Sequence, residues 1–231
     1  RAACTFVIDN LGCALAGSSA PVNAELIELH LRWGGAPEAT VLVHGHRLPA
    51  RAAALLSAAM SHSYDYDDTH DPTSIHVFVT ALPAILAAAE STGGPISGKD
   101  FIAALAGAAE ITIRLGYSVR DHIHSGWLPT SIFGTIGAAA GAAKIMGQAP
   151  EVIADAAGLG YAQTHGNRQA VLDATLAKRL QPAFSAQAGV QAAAFAQVQA
   201  TVLDQEGSNK PPTEQTSTGG LQTSTESSNS N

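Results

Sequence analysis

An all-α multi-helix bundle with one small β-hairpin is the fold this sequence predicts, and three observations predict it. Forty-five of the 231 residues are Ala, all at or before Ala200; Ala is the strongest helix former and contributes little to a sheet core. Apolar residues make up 46% and charged residues 13% of the chain, the balance of a protein that buries a core. Helical spacing of apolar residues recurs between Gly and Pro breaks, whereas only 39–47 reads as strand. The net charge of −7 argues against nucleic-acid binding, whose footprint is basic. Small-molecule chemistry is the expectation that remains.

Helices are expected at Arg1 to Ala16, Ala24 to Arg32, Arg51 to Ser61, Leu82 to Ser91, a span opened by Ser97, Ser131 to Met146, Pro150 to Gln163 and Ser185 to Leu203. The first carries Asp9 inside its apolar stretch, so it is neither a secretory signal nor a membrane span. It has no initiator Met, and the chain is expected to be a fragment or processed form opening inside a helix. Ala39-Thr-Val-Leu-Val-His-Gly-His-Arg47 is expected to form the hairpin, turning at Gly45. Ser97 and Asp100 form a capping box, Leu105, Ala108, Ala109 and Thr112 share the buried face that follows, and Glu110 and Arg114 pair across one turn. Gly134, Gly137, Ala138, Gly141 and Ala142 form a ridge of small side chains; with Lys144 nearby it predicts close packing inside a soluble bundle rather than a membrane dimer face. Pro150 suits a first helical position.

Composition changes near residue 204. From Asp204 to Asn231 there is no Ala or aromatic residue, and Leu221 is the one large apolar side chain. Such a segment cannot bury enough surface to offset its ordering entropy, so the domain is expected over 1–203 and a disordered tail over 204–231. Cys4 and Cys13 are too few for a disulfide framework and are expected to be buried thiols in a reducing compartment.

The densest polar cluster runs from Ser61 through His62, Asp65, Asp67, Asp68, Thr69, His70 and Asp71 to His76, between two Ala-rich helices. Four carboxylates within seven positions repel one another, and burial would raise at least one pKa, as a general base requires. A solvated loop of capping aspartates is the alternative; Tyr64 and Tyr66 favour partial burial. Asp and His could also hold a divalent cation, but no H-E-x-x-H, C-x-x-C or EF-hand spacing occurs, so neither metal nor cofactor is expected. His30 reads as a packing residue. Lys178 and Arg179 form a basic pair in a charge-poor chain that could hold substrate carboxylates or simply end a helix. No G-x-S-x-G nucleophile is present.

Five separated blocks, Asp9-Asn-Leu-Gly-Cys-Ala-Leu-Ala-Gly17, His62-Ser-Tyr-Asp-Tyr-Asp-Asp-Thr69, Gly107-Ala-Ala-Glu-Ile-Thr-Ile-Arg-Leu-Gly116, Gly134-Thr-Ile-Gly137 and Lys178-Arg-Leu-Gln-Pro182 followed by Gly189-Val190, together resemble the MmgE/PrpD family in the right order. Its members include 2-methylcitrate dehydratase, cis-aconitate decarboxylase and iminodisuccinate epimerase. The resemblance implies a large helical domain here, a lid domain absent, a homodimer, a cytoplasmic or mitochondrial-matrix location, and no nucleic-acid or membrane partner. It implies proton abstraction and elimination on a small di- or tricarboxylate, with Asp65, Thr69, His76 and Lys178 catalytic and His62, Arg179 and Gln181 binding substrate. Asp67 and Asp68 would orient the loop. Leu128, in Gly126-Trp-Leu-Pro-Thr130, replaces a catalytic His of decarboxylase-type members, and His76-Val77 replaces their His-Pro. These departures point away from cis-aconitate decarboxylation. A helical dimerisation remnant without activity and a metal-dependent hydrolase are the competing expectations.

Overall fold

Residues 1–122 and 126–208 are described by the computed structural model. In chain order they form α1 (Ala2–Gly17), α2 (Asn23–Trp33), β1 (Ala39–Thr40), β2 (Arg47–Leu48), α3 (Ala50–Ser61), a 3-10 turn (Asp71–Thr73), α4 (Phe78–Ser91), α5 (Gly98–Ser118), α6 (Pro129–Ile145), α7 (Pro150–Ala162), α8 (Gln169–Leu172) and α9 (Ala177–Ser208). The expected bundle and hairpin are both present. Ala39 pairs with Leu48 and Thr40 with Arg47, antiparallel, and Gly45 turns with φ +72°. No helix among the described residues is long and apolar enough to cross a membrane.

Helix α6 lies at the centre because its small-residue ridge lets four helices approach it. It packs on α4, α5, α7 and α9. Gly134 faces Thr80, Gly141 faces Ile85 and Ala108, and a Cβ at Gly137 would lie 2.0 Å from Thr112 Oγ1. Gly160 of α7 and Gly189 of α9 return the same close approach against Ala139 and Ala138. Interiors this dense have no room for an added methyl group. Helix α3 is the second buried element, with every residue but Arg51 in the core. Ser97 caps α5 through Asp100 N–H, and Arg114 Nε pairs with Glu110 at 2.5 Å, both as expected.

Three expectations need correction. Helix α4 starts at Phe78 rather than Leu82, with Pro83 inside it. Its start is fixed by Asp68, whose carboxylate accepts from Val77 N–H and Phe78 N–H at 3.0 Å each, a cap from ten residues away that local spacing does not reveal. Helix α9 starts at Ala177 rather than Ser185, runs through Pro182 and continues to Ser208. Burial of Gln181, Pro182, Ala183 and Ser185 overrides the local breaker. The expected tail is thus helical over 204–208; its remainder, 209–231, lies outside the described residues. Cys4 is exposed and Cys13 half-buried, because α1 buries only Asn10, Ala14 and Gly17 and leaves its other faces open. Burial, with Asp9 beside it, still pushes the Cys13 thiol up to about 11.

Candidate active site

The loop between α3 and α4 folds back on itself by a sequence of local reversals. His62 ends α3, Asp65 takes the left-handed region at φ +61°, and a bridge between His70 and Ile75 closes the 3-10 turn. Asp tolerates that backbone better than most residues. His76 is tied to α6 by its N–H, which donates to Thr130 Oγ1 at 3.0 Å. The loop therefore presents Asp65 outward and draws Asp67 inward.

Asp67 is a fully buried carboxylate clasped by two imidazoles. His62 Nδ1 lies 2.9 and 3.0 Å from its two oxygens. His76 Nδ1 lies 3.1 Å from Oδ2, an ion-pair contact whose angle falls short of a good hydrogen bond. The two rings meet edge to face at 4.9 Å. Lys178, at the start of α9, closes the cluster from more than a hundred residues away. Its Nζ donates to Asp65 Oδ1 and to His62 Nε2, the latter at 2.9 Å. An ammonium has no lone pair, so His62 Nε2 must be the acceptor and Nδ1 carries the proton given to Asp67. The His62 ring is thereby fixed in orientation between Asp67 and Lys178. His76 Nε2 is left 3.6 Å from Asp65 Oδ1, at the edge of a cleft of about 400 Å³ that Asp65, His76, Arg120, Trp127, Leu128, Arg168 and Lys178 line.

The electrostatics follow from this geometry. Burial alone would raise Asp67, but the His62 and His76 contacts win and hold it far below the usual carboxylate range. Asp65 is also lowered: partial burial opposes the shift, and Lys178 overcomes it. Burial by itself would lower His76, yet Asp67 and then Asp65 raise it above its ordinary value. Asp68, half-buried and beside Asp67, is pushed up to about 6 by its partial desolvation despite the two backbone donors of α4. The expected raised carboxyl thus exists, but it is the helix cap, on the far side of the loop from the cleft.

His62, Asp65, Asp67 and His76 offer four metal-ligating atoms within 4.8 Å of one another. Both His62 nitrogens and the inward oxygen of Asp65 are already engaged by Asp67 and Lys178. A divalent cation would have to displace an ammonium, so the donor set fits a lysine better than a metal.

Of the residues expected at the site, the fold brings together Asp65, His76, Lys178 and, beneath them, His62, whose side chain is 2% exposed. It does not bring Thr69, Arg179 or Gln181 to the cleft. Thr69 lines a separate cavity of about 310 Å³ with Phe6, Phe78 and Ile113. Arg179 Nη1 donates to Pro21 O at 3.1 Å. Gln181 is buried, and its Nε2 holds Asn167 O at 3.1 Å. Tyr64 and Tyr66 are 45% and 77% exposed, so the loop is partly buried through its aspartates and not, as expected, through its tyrosines. Arg120 and Arg168 line the cleft without a motif that marks them, and Trp127 lines it from within the Gly126–Thr130 block. A larger cavity, about 610 Å³, lies elsewhere among Pro49, Met146, Val190 and Phe195, and of the two ionisable residues on its described wall Glu38 is already engaged by Ala50 N–H.

Residues 1–222 match the model of the MmgE/PrpD N-terminal domain. A cis-aconitate decarboxylase-like protein of Aspergillus oryzae, oryM, is 30% identical over 198 residues, 83% of this chain and 41% of that protein. The cis-aconitate decarboxylase of Aspergillus terreus is 27% identical over 80% of this chain and 39% of its own length. The human cis-aconitate decarboxylase is 31% identical over 65% of this chain and 31% of its own. The chain thus spans about two-fifths or less of these relatives. With the helical bundle and the Asp65–Lys178 cluster in place, the match identifies the chain as a member of the MmgE/PrpD family.

Proposed function

We propose that this chain carries the site of a carbon–oxygen lyase that abstracts a proton beside a carboxylate and eliminates, in the manner of a 2-methylcitrate dehydratase, from a small di- or tricarboxylate. The observation that carries the reading is the ammonium of Lys178 shared between Asp65 and His62 at the mouth of a cleft that His76 also lines. Paired with Lys178, Asp65 is a weak base. A substrate carboxylate that takes over Lys178 removes that partner, raises the proton affinity of Asp65 and so unmasks it as the base. His76, raised by Asp67, is poised to protonate the leaving hydroxyl. Asp67 keeps both imidazoles oriented, and His62 positions Lys178 rather than touching substrate. Lys178 stabilises the enolate-like charge that develops as the proton leaves. The names of the relatives favour decarboxylation, which shares this charge build-up; the apolar Leu128 on the cleft wall favours elimination.

Incubation of the chain with 2-methylcitrate or citrate in deuterated water, followed by NMR, tests this. The expected result is deuterium at the carbon beside a carboxylate together with an unsaturated product. Asp65→Asn and Lys178→Met should each lower the rate about 10³-fold with unchanged helicity. Turnover retained in both variants rejects the assignment.

A further inference from the structure

We infer that Arg168 is the specificity-determining residue of the cleft: its guanidinium takes a second carboxylate of the substrate while Lys178 holds the first, so that the site selects polycarboxylates over monocarboxylates. This rests on the reading of the cleft as a carboxylate lyase site and deepens it.

Among the described residues three cations, Arg120, Arg168 and Lys178, line the cleft, and they are not equivalent. Lys178 is committed to Asp65 and His62. Arg120 is partly neutralised by Asp121, whose Oδ1 lies 3.2 Å from its Nε. The guanidinium of Arg168 makes no ion pair or hydrogen bond among the described residues, although this chain carries a net charge of −7. An unpaired planar cation beside a committed ammonium is what a two-point grip on separated carboxylates requires.

The backbone beneath Arg168 is built rather than loose. Arg168 N–H donates to Gly126 O at 2.9 Å, Leu128 N–H donates to Gly166 O at 3.1 Å, and Trp127 bridges Asn167. Gly166 sits at φ +126°, and a Cβ there would lie 2.8 Å from Ser131. Buried Gln181 holds the Asn167 carbonyl from α9, the same helix that carries Lys178. The backbone segments that carry the two cations are therefore tied to one another through Gln181, a positioning residue. Such pre-orientation limits the entropy lost on binding.

The test is binding, which is independent of turnover. Tricarballylate, with three carboxylates, and butyrate, with one, are titrated into the chain while Trp127 fluorescence or binding heat is followed. Arg168→Gln should weaken tricarballylate about 10- to 100-fold and leave butyrate within about twofold, Arg168→Lys should restore part of the loss, and Lys178→Met should weaken both. Circular dichroism checks that each variant folds; Arg168 has no side-chain partner among the described residues whose loss would unfold it. No tricarballylate binding by the unaltered chain, or an equal loss for both ligands in Arg168→Gln, overturns the inference. Tricarballylate binding that depends on Arg168, without proton exchange into 2-methylcitrate, would refute the lyase reading and leave the carboxylate subsite standing.

Discussion

The glycine seam of α6 and the charged loop between α3 and α4 are both tightly determined, but by opposite physics. The seam is dry, and its geometry follows from volume: Gly134, Gly137 and Gly141 admit Thr80, Thr112 and Ile85 because no Cβ stands in the way. The loop is held by charge, with Asp67 between two imidazoles and Lys178 arriving from α9. Volume is a property of each residue and survives any change of pH. Charge pairing is a property of the assembled site and depends on protonation. The seam should therefore fail by steric substitution, and the loop by neutralisation.

The largest effect is expected in the seam. Gly137→Val places a branched side chain where Thr112 Oγ1 and Ala108 O already stand, and should destabilise by about 3 kcal/mol or more, read as a lower urea midpoint at every pH. Asp67→Ala should cost about 3 kcal/mol near neutral pH by leaving buried His62 and half-buried His76 without their carboxylate; unlike the glycine variant, it should also flatten the acid limb of the stability curve. Asp68→Ala removes the cap of α4 and should cost about 1–2 kcal/mol, seen as a lower melting temperature. The smallest effect has the opposite sign. Gly107 lies in α5 with nothing near its absent Cβ, so Gly107→Ala should stabilise by about 0.5–1 kcal/mol. A loss there would show that the seam extends further than α6.

The pH profile sharpens the same contrast. Asp65 and Asp67 are lowered in the folded protein, so their stabilisation is present above 3.8 and is lost as pH falls through their folded values. His76 is raised, so its contribution is complete below 6.5 and is lost as pH rises past its folded value. Asp68 is raised to about 6, so its ionisation removes stability between 3.8 and 6. Thermal melts across pH 3 to 9 should give a curve whose acid limb is shallower in Asp67→Ala, and a Gly137→Val curve displaced downward without a change of shape.

Much of this was legible in the residues. Ala content and spacing gave the bundle, Ser97 with Asp100 gave a helix start, and the Gly/Ala ridge gave the seam, because each depends on neighbours within one or two turns. The cluster 61–76 was visible as a concentration of ionisable side chains, and family blocks singled out Asp65, His76 and Lys178. What failed was anything that depended on distant partners. Thr69 lies one residue past Asp68, yet the turn that caps α4 sends it to another cavity. Gln181 and Arg179 sit in the same block as Lys178, but successive helical residues point about 100° apart, and only Lys178 faces the cleft. Arg120 and Arg168 carry no motif, since a guanidinium becomes a subsite only through what surrounds it.

The sequence by itself determined the helices, their small-residue packing face and the chemical kinds of group available, because propensity, volume and ionisability are local quantities. Tertiary structure alone decided which of the loop's aspartates meets the cleft, which tautomer His62 adopts and which lysine it meets. Those outcomes are set by distances of about 3 Å between residues as far as 116 positions apart, where Coulomb energy and desolvation are fixed only once the chain has closed.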